Sequence, residues 1–291
     1  MTPGPALRRR LPRDAAVMSG LIFGAYIFVV SAPRVGSLAF DAVAYWRMDL
    51  SAPYSGTYGQ LGFFPYSPAI ALLISPLTWL PWQAFIALWY AVLIAAVLWL
   101  GRSRFVTLLA FPPVAIELYH ANIHLLLAVA IVVGFRYPAA WAFLLLTKVT
   151  PGVGLLWFAA RKEWSKLGVA LGATTLAVGG TFVLFPAQWI DWITLLGSLS
   201  GQTVGQTELP VPLWVRLPPA IALVWWGART DRYWTVPAAA TLSLPVLWPG
   251  GFAVLAACWL LPGPDVGYDL RHALDRMLNR VSARFHRPAG I

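Results

Sequence analysis

The chain has 291 residues, 59% of them apolar and only 11% charged, with a mean hydropathy of +0.69. A soluble domain carries roughly 25% charged residues, so this composition excludes a soluble cytosolic enzyme, a disordered chain and, despite a net charge of +10, a nucleic-acid-binding module. Cys258 is the only cysteine, which excludes an intramolecular disulfide and a cysteine-rich metal site.

The fold class that follows is an all-α polytopic membrane protein, with one transmembrane domain over residues 1–262 and a tail over 263–291. Arg8, Arg9, Arg10 and Arg13 precede an apolar run from Ala16 to Ala32. That run is long for the core of a signal peptide and no A-x-A site follows it, so an uncleaved first span is expected. Most basic residues cluster between apolar runs, which puts those clusters and both termini on the cytoplasmic side of the cell membrane. Residues 34–66, rich in Tyr, Gly and Pro, then form a first outer loop. Ser67 to Leu100 is too long for one span of about 20 residues, and Pro76 and Pro81 interrupt it. Residues 67–80 therefore read as a short helix lying at the outer surface or re-entrant, and Trp82–Leu100 as the second span.

Residues 105–119 and 121–135 read as two short spans joined outside by Tyr119-His120-Ala121-Asn122. Pro138 to Ala160 reads as two half-length helices meeting at Lys148–Pro151, which puts Lys148 at the outer end of a hairpin. Leu167–Phe185 crosses outward, and residues 186–212 form a second outer loop with Asp191 and Glu208. Residues 213–227 return, and Trp234–Trp248 with Gly251–Leu261 makes a last hairpin about Pro249-Gly250. The count is about ten crossings. In the tail, Leu270, Leu274, Met277, Leu278, Val281 and Phe285 fall at helical spacing among five arginines. That pattern fits a basic amphipathic helix on the inner leaflet; a solvated tail is the alternative.

Ionisable residues inside or beside spans are costly and mark functional sites. This topology gathers Arg34, Asp41, Arg47, Asp49, Glu117, His120, His124, Lys148, Asp191, Glu208 and Arg216 on the outer face. Asp41 and Tyr45 (i, i+4) share a helix face. A carboxylate there suits a general base acting on a hydroxyl, or an N-cap of a surface helix. Lys148 needs a counter-ion, either a phosphate or Glu117 or Asp191. His120 and His124 are also i, i+4. No third ligand stands at a telling spacing, so hydrogen bonding to phosphate or sugar fits them better than a metal. No nucleotide-binding or hydrolase motif occurs.

Several of these landmarks resemble glycosyltransferase family 87. Phe40-Asp41-Ala42-Val43-Ala44-Tyr45 is similar to the family's Phe-Asp-x-x-x-Tyr element after the first span. Phe64-Pro65-Tyr66-Ser67-Pro68-Ala69, followed by Ser75-Pro76-Leu77 and Leu80-Pro81, is similar to its aromatic-Tyr-Pro-Pro segment, with Ser67 in place of the first proline. Asn122-Ile123-His124-Leu125-Leu126-Leu127 looks like its Gly-Gln-x-Asn-x-Leu-Leu element, from which His120-Ala121 departs at the start. Lys148-Val149-Thr150-Pro151, followed by Arg161-Lys162-Glu163-Trp164, is similar to its Lys-x-x-Pro hairpin and basic exit.

The resemblance implies a GT-C-like helical bundle and transfer of a sugar, mannose, from polyprenyl phosphate mannose to a lipid or glycan acceptor at the outer face. Carried over, Asp41 is the catalytic base. Lys148 holds the donor phosphate. Asn122, His120, His124 and Tyr45 line the donor side, and Asp49, Tyr66 and Glu208 are acceptor-side candidates. The implied scheme needs no metal and no cofactor beyond the lipid-linked donor. Its partners are membrane lipids, the donor and the acceptor, with no nucleic acid. The alternative is a non-catalytic polytopic protein, such as a lipid-linked-sugar flippase, a transporter or an assembly subunit.

Overall fold

The computed structural model describes residues 5–199 and 209–261, with side chains from residue 12 onward. Glu208 and the 263–291 tail lie outside the described residues. Within them every regular element is helical. Three helices are long and apolar enough to cross a membrane: Pro12–Val35, Trp82–Leu109 and Trp164–Leu184. A fourth candidate is the pair Pro112–His120 and His124–Gly134, bent by 117° between them. Large apolar side chains point outward from these helices, with Leu176 79% and Val183 80% exposed. Such a surface is stable only against lipid, so the chain is a membrane protein. The remaining apolar helices, among them Pro68–Trp79, Pro138–Thr147, Thr150–Ala160 and Pro249–Trp259, are short.

Prolines set most of these boundaries. Ser67 caps Pro68–Ile74, its hydroxyl accepting from the Ile70 N–H. A 3₁₀ turn over Ser75–Trp79 completes the short helix expected at 67–80. Trp82–Gly101, at about 30 Å, matches a bilayer core. Arg102, at φ 46°, interrupts the helix there, and a Cβ on Gly101 would lie 2.9 Å from Phe105 Cβ and 3.5 Å from Leu108 Cβ. The span expected over 105–119 is two helices instead, Phe105–Leu109 and Pro112–His120. Pro112 and Pro113 have no N–H to continue the first helix but sit well in the opening turn of the next.

The Lys148 hairpin forms as the sequence suggests. Trp141–Thr147 ends at an extended Lys148, and a 3₁₀ segment, Thr150–Leu155, leads into Leu156–Ala160. The Pro151 ring would meet the Thr147 carbonyl if the first helix continued. The segment expected as a plain second outer loop begins with a helix, Pro186–Leu199. Its Gln188, Trp189 and Trp192 are buried. Trp192 Nε1 donates to Pro65 O (3.0 Å) and Gln188 Nε2 to Leu50 O (2.5 Å), so this helix seals the first loop.

The helices His124–Gly134, Trp141–Thr147 and Thr150–Ala160 run between two ends of the molecule. At one end Arg161 binds Glu163 and Asp231, Lys166 binds Glu163, and Arg136 and Tyr233 stand beside them. Asn122, His124 and Lys148 lie at the other.

A candidate site at the helix elbow

The bend between Pro112–His120 and His124–Gly134 is the centre of the second end. Ala121 takes the left-handed conformation, φ 53°, that ends the first helix. A broken helix leaves backbone groups that need partners inside the protein, and several of those at the bend find one. The Ala121 carbonyl accepts from Trp89 Nε1 (2.8 Å). The His124 N–H donates to Glu117 Oε1 (2.5 Å), and the Leu125 N–H also bonds to that carboxylate. Glu117 thus closes the start of the following helix with its side chain and accepts the Asn122 N–H with its own carbonyl (3.2 Å).

Asn122 is fixed inside the elbow. Its Oδ1 accepts from Tyr45 Oη (3.0 Å) and from the Ile123 N–H (2.6 Å). With the oxygen committed, Nδ2 faces Asp41 and donates to Oδ2 at 2.7 Å. Asp41 and Tyr45 sit on one short helix, Phe40–Trp46, as the i, i+4 spacing requires. That helix is docked where the Ala39 N–H donates to Tyr119 O (2.8 Å) and Trp46 Nε1 to Leu80 O (2.8 Å). Ala39, with no side-chain hydrogen bond, occupies the N-cap position, so Asp41 does not serve as that cap. The Tyr45 ring packs on Trp89 and Tyr66, and its hydroxyl lies 3.0 Å from that of Tyr66. Lys148 enters from the hairpin, its Nζ 5.9 Å from the centre of the Tyr66 ring.

The elbow therefore brings together Asp41, Tyr45, Tyr66, His120, Asn122, His124 and Lys148. Asp41, His120 and Lys148 are half-buried; Tyr45, Tyr66, Asn122 and His124 are buried. Burial pushes the Asp41 carboxyl above the ordinary aspartate range, while His120, His124 and Lys148 pull it back down. Glu117 opposes that pull from within the same cluster. Lys148 forms no ion pair with Glu117 or Asp191 among the described residues, although Asp41 and Glu117 are within its electrostatic reach. Glu117 is instead committed to His124, with Nδ1 3.0 Å from Oε2.

Asp49 lies apart, exposed and held by the Ser51 N–H (2.8 Å) and hydroxyl (2.7 Å), which keep its carboxyl below the usual range. No group of three or more His, Cys, Asp or Glu side chains suited to a metal ion occurs among the described residues. Two members of the site are not visible in the sequence. Glu117 reads there only as a spare counter-ion. Trp248 reads only as the end of a span, but its ring stands 5.0 Å from His120 and 6.1 Å from His124. No local spacing connects residue 248 to residue 120.

No curated protein and no solved structure matches the chain. The model of glycosyltransferase family 87 matches residues 63–265. Tyr66, Glu117, His120, Asn122, His124, Lys148 and Trp248 fall inside that match, while Asp41 and Tyr45 precede it. The matched region is well over half of the chain and carries most of the elbow cluster, so the protein belongs to glycosyltransferase family 87 and is a membrane glycosyltransferase.

Proposed function

We propose that the protein transfers a hexose, mannose by its family resemblance, from a polyprenyl phosphate carrier to a hydroxyl of a lipid or glycan acceptor at the outer face of the cell membrane. Asp41 removes the acceptor proton. The freed oxygen attacks the anomeric carbon and forms the new glycosidic bond. The carbon–oxygen bond to phosphate breaks, its electron pair leaves with polyprenyl phosphate, and the configuration inverts. Lys148 stabilises the charge on that phosphate, since an ammonium in a low-dielectric cleft acts most strongly where negative charge develops. The Asn122 amide holds one Asp41 oxygen, which aims the other at the acceptor.

The observation that supports this reading is the pairing of two half-buried opposite charges at one end of the molecule. Asp41 is pinned by Asn122, and Lys148 lies within its electrostatic reach without closing an ion pair on it. A raised carboxyl also suits a base working near neutral pH.

The test is transfer of radiolabelled mannose from polyprenyl phosphate mannose by membranes carrying wild type or Asp41→Asn. Loss of the base lowers transfer by about 10²- to 10⁴-fold. Equal transfer by both forms removes Asp41 from the mechanism. No transfer by wild type across a broad acceptor panel favours a non-catalytic role in handling lipid-linked sugars.

A further inference from the structure

His124 is wholly buried, and its Nε2 is a buried nitrogen with no hydrogen-bond partner. Buried polar atoms are almost always paired, so this exception calls for an explanation. Its other nitrogen, Nδ1, faces Glu117 Oε2 at 3.0 Å. Glu117 also accepts two N–H groups from the start of the His124–Gly134 helix, where the helix dipole favours an anion, and Lys148 is within its electrostatic reach. A carboxylate can only accept. With Glu117 ionised, the imidazole proton sits on Nδ1, and Nε2 is left with a lone pair and no donor.

We propose that Glu117 and His124 together form the part of the donor site that reads the sugar. Glu117 fixes the tautomer, and His124 Nε2 accepts a hydrogen bond from one hydroxyl of the transferred hexose. This assignment rests on the reading of the protein as a transferase with a polyprenyl phosphate sugar donor, and it divides that donor between two sets of residues. Phosphate oxygens are acceptors, so a bare Nε2 lone pair repels them; a hydroxyl is the complementary group. Lys148, all donor, takes the phosphate. The Trp248 indole stands against both imidazoles, on the non-helical stretch that follows Thr235–Leu242. A Cβ on Gly250 would lie 2.6 Å from that indole, so the ring is folded over the glycine. In the proposed complex the Trp248 indole, 6.1 Å from the His124 ring, shifts to admit the sugar.

The test is equilibrium binding of radiolabelled polyprenyl phosphate and polyprenyl phosphate mannose to the purified full-length protein in detergent. His124→Phe keeps the ring and removes the acceptor. It is expected to weaken polyprenyl phosphate mannose by about 10- to 100-fold while leaving bare polyprenyl phosphate within about twofold. Glu117→Gln places an amide N–H against Nδ1, which moves the proton to Nε2 and produces the same selective loss. Lys148→Met weakens both lipids. Equal weakening of both lipids by His124→Phe, or of neither, overturns the assignment. Where a variant does not fold, the wild type decides: one mono-deoxy mannose donor must lose about tenfold or more, and equal binding of all mono-deoxy donors overturns it. A wild type that binds neither lipid overturns the donor reading and this inference together. One that binds and discriminates but transfers nothing overturns only the catalytic step.

Discussion

The hairpin that carries Lys148 is held by one tryptophan lying between two glycines, and Gly154→Ala tests that arrangement. The Trp141 indole is fully buried. A Cβ at Gly134 would lie 2.5 Å from its Nε1, and a Cβ at Gly154 would lie 2.4 Å from Cη2, 2.8 Å from Cζ3 and 3.0 Å from Val236 Cγ1. Ordinary carbon contacts are about 3.5–4.0 Å, so an added methyl must move a rigid, enclosed ring by about 1 Å. Overpacking of this kind costs about 1–3 kcal/mol. Gly154 does not have a positive φ, so alanine there also gains up to about 1 kcal/mol of helix preference. The clash wins, leaving a net loss of about 1–2 kcal/mol.

The assay is thermal unfolding in detergent of wild type, Gly154→Ala, Trp141→Phe and the double variant. The smaller ring leaves room for the methyl, so the cost of Gly154→Ala falls in the Trp141→Phe background, with a coupling of about 1 kcal/mol. An unchanged melting temperature for Gly154→Ala, or the same cost in both backgrounds, refutes the packing account.

Three further outcomes are expected. In the proposed mechanism Asp41 acts as the carboxylate, and burial raises its carboxyl, so transfer by wild type is expected to fall as the pH drops through a value above the ordinary aspartate range; an acid limb at or below that range contradicts the assignment. Arg216 is buried and donates to the carbonyls of Val211 (2.8 Å), Leu242, Leu244 (2.9 Å) and Pro245 (3.2 Å), which clamps the stretch leading to Trp248. Arg216→Met strands these acceptors and destabilises the fold by about 3 kcal/mol in the same unfolding assay. Arg216→Lys restores little, since an ammonium cannot fork across four carbonyls. In a Cys258→Ala background, a cysteine at the exposed Thr57 is labelled by an impermeant reagent from outside and one at the exposed Ser165 is not; the reverse pattern undoes the orientation.

Much of the local structure was legible because prolines and apolar length act locally. Ser67-Pro68, Pro81-Trp82 and Pro151 mark helix boundaries through missing N–H groups and fixed φ, and the structure breaks where they stand. The spacing of Asp41 and Tyr45 predicts a shared face, and one short helix carries both. Less legible was how far a helix runs once it starts. The 105–116 stretch carries no charge, yet Pro112-Pro113 divides it, and Trp189 and Trp192 build a helix where polarity suggested a loop.

The sequence by itself determined that this chain lives in lipid, where its breaks fall, and which few ionisable residues are too costly to be incidental. These are sums over composition and over neighbours within a turn or two. Only the tertiary structure decided who meets whom. Asn122 turns to Asp41 across 81 positions, Glu117 closes on His124 instead of Lys148, and Trp248 comes to rest on two imidazoles more than a hundred residues away. Such contacts depend on a 117° bend and on the packing of helices remote in the chain, and a left-handed alanine at residue 121 leaves no periodic trace in the sequence.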